Sequence, residues 1–457
     1  MPASPARTTA FRILLRVQKE DAYASELLHS DLLQGLSAVD RGLCTEIALG
    51  VLRWQSALDL AIAAVSDKQP KSLDPEVLIA LRMAAYQIRF LDRVPARAAV
   101  NESVELVKAA RKRSAVGFAN AVLRKLVSSP PKITARTPVE ELSQNLAHPQ
   151  WLVARWMENF GVAATQKICE YDQRVPETIL RVHENRSTSA NNAQMWGTET
   201  GTEIVEELHG EGVETSPGPV VSGALRVVSG DVTNTTAYRE RRVFIQDEAS
   251  QLVAMLVGRG SRILDCCAAP GSKTAALAFR NPEAHIVSAE LHPHRARLLQ
   301  ERVSSCANVE VLTADITALQ LGSRFDRVLA DVPCSGTGTL ARNPEIKWKL
   351  EKRDLEDLQE RQIAILTAAL RHVAPGGRAV YSTCSLETEE NTAVVEKVLS
   401  SNPEFRLVPC REELLRLREG GELLWGDIDS MVRGAFLRTL PGVHPCDGFF
   451  AGIFERE

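Results

Sequence analysis

Two cysteines each stand where an apolar run stops. YSTCSLETEEN at 381–391 carries Cys384 between a strand-like run and an acidic helix start, and RVLADVPCSGTG at 327–338 carries Cys334 in the same situation. A cysteine beside an apolar run is ordinarily a buried structural thiol. That reading fits poorly here, because Pro333 fixes a turn before Cys334 and both thiols leave their strands at the same kind of end. Two thiols delivered this way suit a reaction that needs both, and methylation of a pyrimidine at carbon 5 is one. Carbon 5 is too weak a nucleophile to attack a sulfonium methyl group, but a thiolate added to carbon 6 makes it enamine-like. An acid must then hydrogen-bond the ring nitrogen, for which Asp331 is placed, and a base must remove the carbon 5 proton before the thiol leaves. A free thiol with a pKa of about 8.5 is only slightly ionised at neutral pH, so it needs local activation. Lys273 and the helix start after Cys384 favour the thiolate, while Glu387, Glu389 and Glu390 oppose it.

A place for a methyl donor is written at 263–274, ILDCCAAPGSKT, which reads as a strand, a small-residue turn and a helix. It lacks the spacing of a phosphate-cradling P-loop, because Ser272 separates Gly271 from Lys273 and position 266 is cysteine. Nor is it the G-x-G-x-x-G dinucleotide fingerprint. What remains is a nucleoside-binding loop without a diphosphate site, as in enzymes that use S-adenosylmethionine. Glu290 ends the next strand, where it is placed to hydrogen-bond ribose hydroxyls, and Asp315 ends the third, facing the adenine or its surroundings. A single strand-end carboxylate is usually a helix cap, but recurrence at successive strand ends points to a ligand.

The elements that must position these residues follow from the pattern after residue 250. RILDCC, HIVSAE, VEVLTAD, DRVLADV and RAVYSTC are short apolar runs separated by helical stretches, the signature of a parallel doubly wound sheet. In that topology the first and fourth strands are neighbours with the fifth beside the fourth, so all of these ends meet at one crevice. Residues 5–128 read instead as consecutive amphipathic helices, with Phe11, Leu14 and Leu15, then Val77, Leu81, Ala84 and Ile88, at helical spacing. SSPPKITARTPVE at 128–140 is a linker, and 145–245 mixes a Trp-bearing helix, short strands such as TILRVH and a polar stretch at 189–202. The expected domains are an all-helical 1–130, a linker and small α+β region at 131–245, and an α/β catalytic domain at 246–457.

The chain of 457 residues, 44% hydrophobic and 25% charged, has ordinary globular composition and room for two or three domains. No apolar run approaches the ~20 residues needed to span a bilayer and no signal-peptide pattern opens the chain, so a cytoplasmic protein is expected, with no membrane partner. Nine cysteines include no C-x-x-C pair, and His292 and His294 lack further ligands, so no metal is expected. The net charge of -4 hides a local excess of base. Arg82, Arg89, Arg93, Arg97, Lys108, Arg111, Lys112, Arg113, Arg124, Lys125, Lys132 and Arg136 face only Asp92, Glu102 and Glu105. Such a stretch is either a solvated helical surface or a phosphate-binding face.

DCCAAPGSKT, DVPCSGTG, RNPEIKWK at 342–349, YSTCSLETEEN and DGFF at 447–450 together resemble the signature set of the Sun (NSUN) type RNA 5-methylcytosine methyltransferases. HPQWLVARW at 148–156 and FIQDEASQL at 244–252 resemble the segment preceding that catalytic domain, and VNESVELVKAARKRSAVGFANAVLRKL at 100–126 resembles the NusB-type RNA-binding fold. The resemblance spans nearly the whole chain. It implies a NusB-like helical domain, a small α+β RNA-binding region and a Rossmann-like class I methyltransferase domain. Cys384 is then the covalent nucleophile, Cys334 assists release of the methylated base, and Asp331 and Lys273 complete the catalytic set. Cys267, Ala268, Ala269, Pro270, Gly271, Ser272 and Lys273, with Glu290, Asp315 and Asp331, form the S-adenosylmethionine site. The implied substrate is a cytosine in small-subunit (16S) ribosomal RNA, acted on by a monomer. A transfer RNA substrate, or a non-catalytic antitermination-like RNA-binding protein, is the alternative. Three positions depart from the pattern: Ser272 replaces a common glycine, Glu290 a common aspartate and His183 a usual asparagine.

Overall fold

The computed structural model describes residues 3–20, 22–128, 135–183 and 199–457, the side chains of 199 and 200 excepted. Residues 129–134 of the 128–140 linker, Lys132 among them, and most of the 189–202 polar stretch lie outside those residues. The chain folds as two compact units, residues 1–175 with 340–349, and residues 176–339 with 350–457.

The first unit is helical. Its centre is the helix Pro75–Phe90, which opens with proline at a position where the missing N–H costs nothing and is buried continuously from Val77 to Gln87. A helix apolar on every side needs neighbours on every side. Pro5–Lys19, Ala38–Arg53, Gln55–Ser66, Ala96–Ala109 and Val116–Ser128 supply them, forming one core with Ile13, Ile47, Leu58, Leu81 and Leu123. Burial divides the basic stretch. Arg82 is inside, forked onto Asp59 at 2.7 and 2.7 Å. Lys108 pairs with Glu105, and Lys112 with Asp74 and Glu76. Arg93, Arg97, Arg111, Arg113 and Arg124 are exposed.

Residues 340–349 belong to this unit although the flanking residues belong to the other. Glu345 accepts the Ala24 N–H at 2.8 Å, the Trp348 indole donates to Leu52 O at 2.6 Å, and buried Lys347 donates to Arg53 O and Ala147 O at 2.9 and 3.0 Å. Burial lowers the Lys347 pKa to about 7, with the Asp172 charge pulling the other way.

In the second unit, β1 (Ile179–Val182), β2 (Glu214–Pro217), β3 (Ala224–Ser229) and β4 (Val243–Ile245) make an antiparallel sheet in the order β2-β3-β1-β4. The larger sheet holds β5 (Arg262–Asp265), β6 (His285–Glu290), β7 (Val309–Thr313), β8 (Phe325–Asp331) and β9 (Val373–Thr383), parallel in the order β7-β6-β5-β8-β9. Its central strands are buried, as helices on both faces require. Beyond β9 the sheet turns antiparallel: β13 (Phe450–Arg456) pairs with β9, and β10 (Phe405–Val408) and β12 (Phe436–Arg438), the latter joined to β11 (Val432–Arg433), pair with β13. The α/β reading of residues 250 onward holds for the parallel strands and omits this antiparallel half. The small sheet packs against the helix Glu248–Val257 and β5, since Ile179, Val220, Val221 and Phe244 share a core with Leu252, Leu256 and Ile263. Buried Glu248 ties the two, accepting the Val220 and Val221 N–H groups at 2.7 and 2.7 Å.

Candidate active site

Cys334 and Cys384 meet. Their Sγ atoms lie 3.2 Å apart, both side chains partly accessible and neither in a disulfide. Adjacent parallel strands make this happen: β8 and β9 pair with Asp331 opposite Ser382, Cys384 directly follows Thr383 at the end of β9, and Cys334 follows Asp331 after Val332 and Pro333. The Ser382 hydroxyl donates to Asp331 Oδ1 at 2.7 Å, locking the two strand ends in register. The sulfur contact first, and burial second, push the Cys334 thiol far above its ordinary range. Cys334 therefore carries its proton and can donate it to the neighbouring sulfur.

The backbone at Cys384 is fixed from outside its own strand. The Gly338 N–H donates to Cys384 O at 2.8 Å, and Gly338 O accepts the Gly448 N–H at 2.8 Å. A Cβ on Gly338 would stand 2.1 Å from Gly448 O and 2.9 Å from Cys384 O, so only glycine lets these three segments touch. TGTG and DGFF thus clamp the cysteine loop.

Beneath the thiols lies a carboxylate that sequence reasoning treated only as an opposing charge. Glu390 is fully buried and accepts from the Ser335 N–H at 2.8 Å, the Ser335 and Ser385 hydroxyls at 2.5 and 2.5 Å, and the Gln362 amide at 2.9 Å. One charge therefore holds the residue after Cys334 and the residue after Cys384. A buried carboxylate needs several donors, and a serine following each cysteine was the available signal. Asn391 adds a second tie, accepting from the Thr383 hydroxyl at 2.5 Å and donating to Ser385 O at 2.9 Å.

Lys273 and Asp331 form an ion pair at 2.7 Å, joining the loop 267–273 to the strand end that precedes Cys334. Burial works against the Lys273 charge, but Asp331 and the Cys384 sulfur outweigh it and raise its pKa. The ammonium also sits 5.0 Å from the Phe449 ring centroid. Lys273 is thus a fixed positive charge at the thiols, able to favour a thiolate.

The loop 267–273 follows β5. Gly271 caps the helix Ser272–Arg280 with φ at 104°, and a Cβ there would lie 2.9 Å from Leu299 Cδ1. Ala268 and Ala269 are buried, Ala269–Pro270 is cis and Pro270 is exposed. Glu290 is buried at the end of β6, with Oε1 accepting the His292 N–H at 2.9 Å. Asp315 lies exposed just past β7, its Oδ1 taken by the N–H and hydroxyl of Thr317 at 2.9 and 2.7 Å, a turn that leaves its other oxygen outside these bonds. Asp265, which ends β5, is a further carboxylate of this loop. It is 1% exposed, accepts the Thr274 hydroxyl at 2.8 Å, and keeps one buried oxygen without a partner. Burial pushes its carboxyl up to about 7, against the pull of the Thr274 bond. Small residues, a glycine-capped helix start, a strand-end carboxylate and an orphaned carboxylate oxygen fit a nucleoside with a cationic centre. The absence of a glycine-lined phosphate cradle disfavours a diphosphate.

His183, the departure from the asparagine pattern, is a packing residue. It is 4% exposed, stacked on Phe279 with centroids 3.9 Å apart and edge-on to Phe244 at 4.5 Å, and burial holds it neutral. His292 and His294 lie with ring centroids 5.8 Å apart, and no group of three or more His, Cys, Asp or Glu among the described residues forms a metal cluster. Among the same residues no single helix is long and apolar enough to cross a membrane.

Residues 254–455 match the 16S rRNA methyltransferase RsmB/F family, residues 4–128 the NusB family and residues 148–233 the RsmF/B-like ferredoxin-like domain. The probable ribosomal RNA small subunit methyltransferase B of Bacillus subtilis is 31% identical over 468 aligned residues, covering 100% of both chains. The ribosomal RNA small subunit methyltransferase B of Vibrio cholerae is 32% identical, covering 92% of this chain and 90% of its own. The crystal structure of PH0851 superposes with a TM-score of 0.80 at 24% identity over 100% of both chains, a likeness of fold.

Proposed function

Because the chain belongs to the RsmB/F family of S-adenosylmethionine-dependent RNA methyltransferases, we propose that it methylates carbon 5 of a cytosine in small-subunit (16S) ribosomal RNA through a covalent adduct to Cys384. The observation that carries the chemistry is the 3.2 Å contact between Cys334 and Cys384 beside the Lys273–Asp331 pair. A family of C5 methyltransferases needs one thiol to enter the ring and a second group to let the product leave.

In this reading Cys384 adds as thiolate to carbon 6, with Lys273 offsetting its charge. Asp331, held by Lys273 and Ser382, is the group placed to hydrogen-bond the ring nitrogen as charge builds there. Residues 267–273 would hold S-adenosylmethionine, with Glu290 placed for its ribose, and the group would supply an electrophilic methyl there. Cys334 then serves the release step: a base takes the carbon 5 proton, that C–H electron pair re-forms the ring double bond, the carbon–sulfur bond to Cys384 breaks, and the departing Cys384 sulfur takes the Cys334 proton. A cytosine inside an A-form helix cannot present both faces of its 5,6 bond, so the target is single-stranded or flipped.

The assignments of Cys267 to Lys273, Asp315 and the domain limits at 130 and 245 belong to this proposal, as do a cytoplasmic monomer and the ribosomal over the transfer RNA substrate. Bisulfite sequencing of total RNA from a deletion strain tests it. Loss of one 5-methylcytosine from 16S ribosomal RNA is the expected result. Loss confined to transfer RNA would transfer the activity to that substrate, and an unchanged pattern would remove it.

A further inference from the structure

The second unit contains a cleft of about 390 Å³ outside the cysteine site. One wall runs from Thr233 to Ile245, and the other is the helix Pro293–Arg302 with Pro270 of the cofactor loop. Three guanidiniums line it, Arg239, Arg241 and Arg302, against the single carboxylate of Glu301. None of the three is in an ion pair among the described residues: Arg239 donates to Asn234 O at 2.8 Å and Arg241 to the Ser304 hydroxyl. The adjacent Arg242 shows what neutralisation looks like, forked onto Glu207 at 2.6 and 2.6 Å.

The turn that separates these two arginines is strained. Arg241 takes φ of 61°, a left-handed conformation uncommon outside glycine, held by Arg241 N–H to Tyr238 O at 3.1 Å and Arg242 N–H to Ala237 O at 2.9 Å. Consecutive arginines are thereby sent to different tasks, Arg242 to Glu207 and Arg241 across to the loop after the opposing helix. Between the cations the surface is apolar. Leu298 is 53% exposed and Ile245 39%, with half-buried Tyr238 beside them and Phe244 beneath.

Cations and exposed apolar side chains sharing one cleft match a polyanion that also presents planar faces. Guanidiniums take phosphate oxygens, and bases lie on the apolar and aromatic groups with little regard to sequence. An acidic peptide would satisfy the arginines and leave Leu298 and Ile245 uncovered. Position favours the nucleic acid as well, since Pro270 belongs to both the cleft and the cofactor loop, and Gly271 packs against Leu299 and Arg302.

We propose that this cleft holds the single-stranded RNA flanking the target nucleotide, with Arg239, Arg241 and Arg302 on its phosphates and Tyr238, Ile245 and Leu298 under its bases. This deepens the reading of the chain as an RNA methyltransferase and rests on it. The site selects for an unpaired strand beside the target and makes no demand on base identity.

The test uses the full chain carrying R239E/R302E, both changes outside any core, with labelled single-stranded oligouridylate as probe across a salt series. S-adenosylmethionine binding by calorimetry reports that the variant is folded. The expected result is at least tenfold weaker RNA binding, a log–log salt slope shallower by about 1.4 for two lost phosphate contacts, and unchanged cofactor binding. An unchanged slope overturns the proposal. So does displacement of a labelled polyglutamate peptide, with RNA binding intact, as the only property the variant loses. A wild-type protein that methylates RNA as well as the variant does rejects the cleft alone, whereas one that methylates no RNA rejects the parent reading too.

Discussion

Ser335 and Ser385 donate to the same carboxylate, each hydroxyl 2.5 Å from Glu390 Oε2. Since each serine follows one of the paired cysteines, the spacing of the two sulfurs is inherited from a buried charge beneath them. Replacing Glu390 with glutamine keeps the volume but removes the charge and turns an acceptor into a donor facing other donors. The variant should lose about 2–4 kcal/mol of stability and nearly all turnover, with S-adenosylmethionine affinity little changed. Denaturant melts and calorimetry check this; a stable variant with full activity would show that the thiols do not depend on Glu390.

Gly338→Ala probes the same spacing from the other side. The added Cβ would press on Gly448 O at 2.1 Å and Cys384 O at 2.9 Å, both backbone atoms that cannot rotate away. The cysteine loop must shift, so kcat should fall by at least tenfold while the KM for the cofactor stays within about twofold, since a misplacement near 1 Å costs about a hundredfold in rate. Steady-state kinetics with saturating RNA decide it. Equal losses in kcat and cofactor affinity would mean general unfolding in place of local displacement.

Glu290→Ala should weaken S-adenosylmethionine binding by about 1–3 kcal/mol and leave RNA affinity nearly unchanged. Its carboxylate sits at the buried end of β6, one oxygen held by the His292 N–H. Calorimetry with the cofactor and anisotropy with RNA separate the two effects. Retained cofactor affinity would remove Glu290 from the ribose site.

Asp265 makes stability depend on pH. Its carboxyl holds a proton up to about 7 in the folded protein against 3.8 in the unfolded chain. Between those values the unfolded state has released a proton that the folded state keeps, so this contribution is full below about 4 and is lost as pH rises through about 7. Thermal melts at pH 5 and pH 8 should show the wild type losing stability across the interval, and Asp265→Asn losing less. An equal drop in both would place the titration elsewhere.

Much of the site was legible because strand ends are legible. Apolar runs that stop at Asp331, Cys334 and Cys384 mark the carboxyl ends of parallel strands, and the order β5-β8-β9 then forces them together. Contacts made by the chain after it leaves a strand were not. Glu390 looked like one acid in an acidic helix start, and its burial depends in part on donors from Ser335 and Gln362, 55 and 28 residues away in sequence. The antiparallel addition of β13 was invisible for a similar reason, since DGFF read as a motif without a partner. Arg82 counted toward a basic face by sequence proximity and is ion-paired inside the helical core instead. RNPEIKWK read only as a signature, yet Glu345, Lys347 and Trp348 pack in the helical unit through bonds to backbone groups at Ala24, Arg53 and Leu52.

That packing changes how RNA binding by the helices is tested. Removing residues 1–130 would strip Leu52 O from Trp348 and Arg53 O from Lys347, so neutralisation is the cleaner probe. Changing exposed Arg93, Arg97, Arg111 and Arg113 to glutamine should make the log–log salt dependence of RNA binding shallower by about 0.7–0.9 per lost phosphate contact. An unchanged slope would return this stretch to a solvated surface.

The most direct measurement of the covalent account is a denaturing gel of Cys334→Ala and Cys384→Ala after incubation with RNA and S-adenosylmethionine. If Cys384 attacks carbon 6 and Cys334 serves release, Cys334→Ala attacks, methylates and stalls, giving a protein band shifted by covalently bound RNA. Cys384→Ala gives no shifted band and no methylation. The reverse pattern, an adduct in Cys384→Ala alone, would make Cys334 the nucleophile, and full activity in both variants would contradict a covalent mechanism altogether.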